Sequence, residues 1–205
     1  MGDRFESFPI FPLPLVLLPT ELAPLHIFEE RYKLMINECL DESAEFGIVW
    51  LGEDGLAEIG CTARVTELID RMDDGRMNIL VRGGKPFRLL RRVDDLAYPA
   101  GDVEMLEDEA NASQSHAEAA RNVYAEVVEK ATDQRPEDED LAEMDAYGMA
   151  ATIELEPALK QKLLDSRSED ERLDIVEELF QKAVERLERA EHVSEVARTN
   201  GKVHF

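Results

Sequence analysis

Five prolines fall within sixteen residues near the start of the chain, at Pro9, Pro12, Pro14, Pro19 and Pro24. Proline fixes φ and lacks a backbone donor, so this spacing excludes a long helix. The residues between them are almost all apolar, FPIFPLPLVLLPTELAPLHIF over 8–28. Such a run is left with short extended pieces joined by turns, each strand limited to a few residues. At Glu29 the period changes. Tyr32, Met35, Ile36, Cys39 and Leu40 follow i, i+3, i+4, i+7, i+8, the stripe of an amphipathic helix. Phe46-Gly-Ile-Val-Trp-Leu51 then reads as a buried strand.

Residues 57–107 alternate in β fashion, with Ala57, Ile59, Cys61, Ala63 and Val65 on one face. Asp73-Asp74-Gly75 is a hairpin turn in which glycine takes positive φ without steric cost. Gly83-Gly84 and Pro99-Ala100-Gly101 punctuate the next two strands, and residues 101–106 supply the last. Many short strands at even turn spacing predict a small barrel. The polar stretch LEDEANASQS (106–115) is the one clear boundary. Beyond it the pattern is helical: 116–131, 141–155, a short helix opening at Pro157 and ending near Asp165, and a long one. Ser168-Glu169-Asp170-Glu171 is the capping box of that last helix. Its seam, Leu173, Val176, Phe180, Ala183, Leu187, Ala190, Ser194 and Ala197, spans roughly 40 Å at 1.5 Å per residue. Short helices beside it need a face to cover, so docking within its own bundle is favoured over a coiled-coil partner. Residues 199–205 read as a frayed tail. The expected fold is α+β, a β subdomain with one inserted helix over 1–107 and an all-helical subdomain over 115–198.

Several phrases together resemble the amino-terminal, substrate-binding domain of Lon proteases. They are the apolar-Pro opening, Pro24-Leu-His-Ile-Phe-Glu-Glu-Arg-Tyr32, the later Phe46-Gly47-Ile48-Val49, and Ile59-Gly60-Cys61-Thr62-Ala63. Asp74-Gly75-Arg76 with Asn78–Val81, Phe87-Arg88-Leu89, Lys160-Gln161-Lys162-Leu163-Leu164 and Glu171-Arg172-Leu173 continue the likeness. Two positions depart from it: Pro86 stands where an arginine is usual, and Asp165 where a glutamate is. The resemblance covers roughly residues 8–190 and implies that the barrel is PUA-like.

The net charge is −23, from 46 acids against 23 bases. Residues 101–205 carry 28 acids and 12 bases, net −16, so the helical half is the more acidic. An acidic surface repels phosphate backbones, which argues against nucleic acid as a partner. With 7 Lys against 16 Arg, the balance suits a salt-rich cytoplasm as well as it suits plain solubility. Asp3 and Glu6 sit where the positive region of an export signal belongs, and no stretch reaches the ~20 apolar residues of a membrane span. A cytoplasmic protein with no membrane partner is expected. Cys39 and Cys61 are too few for a disulfide framework and read as buried free thiols.

Catalytic apparatus is not legible. There is no G-x-x-x-x-G-K-[ST], and Gly83-Gly84-Lys85-Pro86 lacks its spacing and its hydroxyl. The chain ends before a Ser-Lys peptidase could begin, so ATP-driven proteolysis is not expected of this polypeptide alone. His26, His116, His192 and His204 are scattered, no C-x-x-C exists, and Asp70–Gly75 has the wrong spacing for a calcium loop; no metal or cofactor is expected. A cysteine paired with His26 as a nucleophile is outweighed by the packing reading. Glu29 and Arg31 read as a carboxylate at a helix's positive end and a brace of that helix, ahead of anchors for a peptide's ends.

The expected site is apolar: Leu17, Leu18, Pro19 and Leu22, more aliphatic than a turn requires, with Trp50 at a strand edge. The resemblance implies a non-catalytic module that recognises exposed apolar segments of unfolded or degron-bearing polypeptides, delivering or sequestering them for a separate ATP-dependent protease. The alternatives are an RNA-contacting PUA-like protein, opposed by charge, and a small-molecule enzyme on a related barrel, opposed by the lack of a catalytic cluster.

Overall fold

The computed structural model describes residues 2–93, 96–108 and 112–200. The chain packs as two compact units, Met1–Ala110 with Ala150–Arg167, and Asn111–Met149 with Ser168–Phe205.

Among the described residues the first unit holds seven strands: β1 (Arg4–Leu13), β2 (Leu22–Ile27), β3 (Phe46–Gly52), β4 (Gly55–Leu56), β5 (Ile59–Arg71), β6 (Met77–Val93) and β7 (Ala100–Met105). Their order is β1-β7-β6-β5-β3-β4, and β1 also pairs in parallel with β3, Ile10 opposite Gly47 and Leu13 opposite Trp50. That pairing closes β1, β7, β6, β5 and β3 into a ring, the expected β pseudo-barrel. Ile10, Val49, Phe87 and Val103 fill its interior, with Phe8, Leu89 and Met105 packed against them. β1 runs ten residues despite Pro9 and Pro12, longer than the proline spacing suggested.

Helix α1 (Glu30–Glu42) crosses between β2 and β3 and buries Tyr32, Met35, Ile36 and Cys39, the predicted stripe. Its Lys33 is also buried: Nζ donates to Glu30 Oε1 at 2.8 Å and to the Asp74 carbonyl at 2.9 Å, tying the helix to the β5–β6 turn. That turn is the expected one, with Gly75 at φ 81°.

β5 and β6 are far longer than expected, 13 and 17 residues. They bend at register shifts between Cys61 and Ala63, Val65 and Glu67, and Leu68 and Asp70. Bulges let long strands curve around a small barrel without breaking the ladder. Gly83-Gly84 is therefore not a punctuation between strands. It lies inside β6, and a Cβ on Gly83 would stand 1.9 Å from the Leu18 carbonyl oxygen.

α5 (Pro157–Asp165) belongs to this unit as well. It carries Pro at its first turn, and Gln161 Nε2 donates to the Ile59 carbonyl at 3.1 Å. Its period matches that of the helices expected in the 115–198 subdomain, and period alone does not show what a helix packs on.

The second unit comprises α2 (Gln114–Thr132), α3 (Asp138–Glu143), most of α4 (Ala146–Ala150), and α6 (Glu169–Asn200). Ser113 caps α2, its side chain accepting from the His116 amide. The single helix expected over 141–155 is two short ones. Asp145 divides them, its Oδ1 accepting from the Gly148 amide at 2.7 Å, so the chain restarts as a capped helix. Along α6 the apolar seam is buried at Leu173, Val176 and Phe180, and Phe180 meets Tyr124 of α2 with ring centroids 5.3 Å apart. Past Phe180 the seam opens: Ala183 and Leu187 are half-buried and Ala190 is exposed. Arg172 is buried at 1%, its Nη2 2.7 Å from Glu169 Oε2 and its guanidinium 4.4 Å above the Tyr147 ring. Glu169 in turn accepts from the Ala146 amide at 2.7 Å. Among the described residues all strands lie before residue 106, and beyond it only an isolated bridge at Ser168 is not helix, turn or loop. Of the expected tail, 201–205 lie outside the described residues, as do the side chains of Ser194 and Ala197.

Candidate functional site

The loop between β1 and β2, expected as an exposed apolar site, is a packed corner. Leu17 is 1% and Leu18 0% exposed, and Pro19 is buried. Four bonds hold it. Thr20 N–H donates to the Gly83 carbonyl at 3.0 Å and Gly83 N–H to the Glu21 carbonyl at 2.9 Å. Glu21 N–H closes a turn on the Leu18 carbonyl at 3.2 Å, and Leu18 N–H donates to Glu21 Oε2 at 2.9 Å. The other carboxylate oxygen of Glu21 takes the Lys160 ammonium of α5, with both side chains about seven-eighths buried. Thr20, at the turn's third position, has φ 65°, a conformation β-branched residues rarely adopt. The missed signal was Gly83-Gly84: glycines inside a strand mark the close approach of another backbone.

Leu22 behaves differently. It opens β2, which has β6 as its strand partner and alternates sharply: Leu25 and Ile27 are buried while Leu22, Pro24 and His26 face out. Phe28, next in the outward register, is 59% exposed. His26 stacks on Phe28 with centroids 5.9 Å apart, and its Nδ1 lies 2.7 Å from Asn78 Oδ1 on β6. His26 and Phe28 border a groove of about 480 Å³ that Pro12, Leu13, Leu51 and Pro99 also line. Buried Phe11 and Tyr32, ring centroids 4.1 Å apart, support it, and Leu51 is 50% exposed on its rim. Arg31 and Arg92 stand on the same rim. Sequence reasoning missed Phe28 and Leu51, although Phe28 shares the parity of Leu22 and could have been found from it.

Glu29 and Arg31 pair with each other at 2.8 Å, and Arg31 lies 4.7 Å above the Tyr32 ring. Arg31 thus belongs to the groove's edge rather than bracing the helix on the barrel. Trp50 does not join this groove. Successive strand residues face opposite ways, so Leu51 borders it while half-buried Trp50 lines a separate depression with the β3–β4 turn and α5.

Cys39 and Cys61 are buried free thiols. Burial, then Glu38 and Glu42, push the Cys39 pKa up to about 11, and burial pushes Cys61 higher still. Neither is a thiolate at neutral pH. No group of three or more His, Cys, Asp or Glu among the described residues is placed to hold a metal ion. No helix among them is long and apolar enough to cross a membrane.

The chain is similar to two solved structures. A Lon N-terminal domain protein from Xanthomonas campestris is 24% identical, with TM-score 0.64, over 83% of this chain and 96% of that one. The N-terminal domain of the Mycobacterium avium complex Lon protease is 21% identical, with TM-score 0.63, over 86% of this chain and 98% of that one. At these identities the likeness establishes a shared fold. The profile of the ATP-dependent protease La (LON) substrate-binding domain matches residues 7–182. With most of its length inside that match, this chain belongs to the LON substrate-binding domain family.

Proposed function

We propose that the protein is a non-catalytic binding module that takes exposed apolar segments of unfolded or degron-bearing polypeptides into the groove beside β2, for a separate ATP-dependent protease. One observation carries this reading: Phe28 and Leu51, two large apolar side chains at least half exposed, rim a groove supported by buried aromatic rings. Such side chains cost free energy in water and are stabilised when another apolar segment covers them, by about 25 cal/mol per Å². β2 has one strand partner among the described residues, so an extended segment can lie along its outer side. Pro24 withholds a donor there, which limits pairing with further copies of the same edge. Leu22, the member of the expected site that remains exposed, continues the apolar line along β2.

The test is binding of a labelled, chemically unfolded protein to the full chain, with Phe28→Ser and Leu51→Ser beside the wild type. Micromolar binding, about −8 kcal/mol, is expected. Each substitution should weaken it at least about fivefold with unchanged circular dichroism, since each exchanges an exposed apolar side chain for a hydroxyl. Salt should leave binding unchanged or strengthen it. Binding of structured RNA that falls steeply with salt, or turnover of casein or ATP by purified protein, would overturn the reading.

A further inference from the structure

Trp50 marks a second place of unused chemistry. β3 and β4 join through Glu53 and Asp54, with Gly55 at φ 108° closing the turn. Trp50 and Gly52 stand two apart on one strand and share a face. A Cβ on Gly52 would come within 3.0 Å of the indole, so this glycine is what gives the ring its place. From α5, Gln161 enters the same depression, buried at 7%. Its Nε2 donates to the Ile59 carbonyl at 3.1 Å and to Asp165 Oδ1 at 2.7 Å. Both partners only accept, so the amide cannot be turned round. Its Oε1 has no hydrogen-bond partner among the described residues. A buried acceptor without a donor is costly, and it marks where a donor from outside would be taken.

The depression holds about 360 Å³, and Trp50, Glu53, Asp54, Glu58, Gln161 and Asp165 give it its chemistry; among the described residues no lysine or arginine lines it. Apart from the indole, those side chains offer acceptors alone. An anion is repelled, and the carboxylates are not grouped as metal ligands. A planar cation with several donors fits these features: it stacks on the indole, donates to Gln161 Oε1 and offsets part of the carboxylate charge. We propose that this depression receives a basic side chain of a bound polypeptide, arginine in first place. The polypeptide source rests on the proposed function; the affinity for the cation does not.

Trp50 is the sole tryptophan of the chain, so its fluorescence reports on this site alone. The full chain is titrated with N-acetyl-argininamide and with its neutral isostere N-acetyl-citrullinamide. A saturable change is expected with the arginine amide, weakened by salt, and none with citrulline. Glu58→Gln and Asp165→Asn should each weaken it about threefold and Gln161→Met about fivefold or more, the scale of a charge-assisted bond. Should Gln161→Met fail to fold for want of its Ile59 bond, Glu58→Gln, whose side chain is exposed, still decides. Equal responses to the two amides, or variants that bind like wild type, overturn the proposal. In a second arm, an apolar peptide carrying arginine should bind several-fold more tightly than its citrulline twin. Equality there, with the amide still saturating, overturns a polypeptide source in favour of a small free cation. If no apolar peptide binds at all, the proposed function falls while the amide titration still judges the pocket.

Discussion

Replacing Lys160 by methionine removes the ammonium that Glu21 holds and keeps most of the stem's volume. The side chains of the pair are 13% and 14% exposed, so the Glu21 carboxylate is left deep in the corner with a single bond, from the Leu18 amide at 2.9 Å. Stranding one member of a buried pair costs about 3–5 kcal/mol, and the residual access of water here points to the lower end, about 3. Glu21→Gln alone removes the counter-charge but keeps an amide oxygen that can accept from the ammonium, so it should cost less, about 2 kcal/mol. In the double variant no charge remains, and the glutamine oxygen can still accept from Leu18. Its cost should be only about 1 kcal/mol, giving a coupling of about 4 kcal/mol between the two positions. Urea unfolding followed by Trp50 fluorescence reads this directly, because Trp50 lies in the same unit. With a slope of about 1–3 kcal/mol per molar, Lys160→Met should lower the midpoint by roughly 1–3 M. If Lys160→Met falls within about 1 kcal/mol of wild type, or the two single costs simply add in the double variant, the corner is not clamped by this pair.

Leu18→Ala should cost about 2–5 kcal/mol and leave polypeptide affinity unchanged, since Leu18 is core; a selective loss of affinity would restore it to the site. Thr20→Asn, which tolerates positive φ, should stabilise by about 0.5–1 kcal/mol in the same urea assay, and destabilisation would refute the assigned strain. Cys39 and Cys61 should resist a thiol reagent at pH 8 until the protein unfolds, whereas prompt labelling of native protein would contradict their burial. The pH effect has a definite sign. Above the ordinary thiol value of about 8.5 the unfolded chain loses protons that the folded chain keeps, Cys39 to about 11. Stability should therefore fall as pH rises through that window and should not depend on the thiols below it. Cys39→Ala should flatten the decline, and an unchanged slope would refute it.

The sequence made the architecture legible where a pattern has one structural solution. Proline spacing excludes a helix before Glu29, the change of period starts α1, and Ser168 opens α6. What failed was whatever depends on a distant partner. Gly83-Gly84 read as a break because a turn and a close backbone approach make the same demand on a glycine, and only the fold shows Leu18 beside it. For the same reason Leu17 and Leu18 looked like surplus aliphatics on a loop, when Lys160, far along the chain, pins that loop shut. Leu22 and Trp50 kept their exposure, or part of it, because both lie on strands where parity governs burial. Gln161 was legible only as part of a family phrase; its idle oxygen exists only once Ile59 and Asp165 have claimed its nitrogen.

The membership of α5 in the barrel unit bears on how this protein can be taken apart. The chain leaves the barrel near residue 110, returns for 150–167 and leaves again. No single cut separates one unit from the other. A fragment ending at the polar stretch near 110 would carry Glu21 without its counter-ion and Ile59 without its donor, and should be recovered as insoluble material. Excising 111–149 and joining the ends with a short linker would keep α5 attached to the barrel. Limited proteolysis should follow the same logic: a nick between the units need not release a free barrel, because residues on both sides of the cut still hold it together.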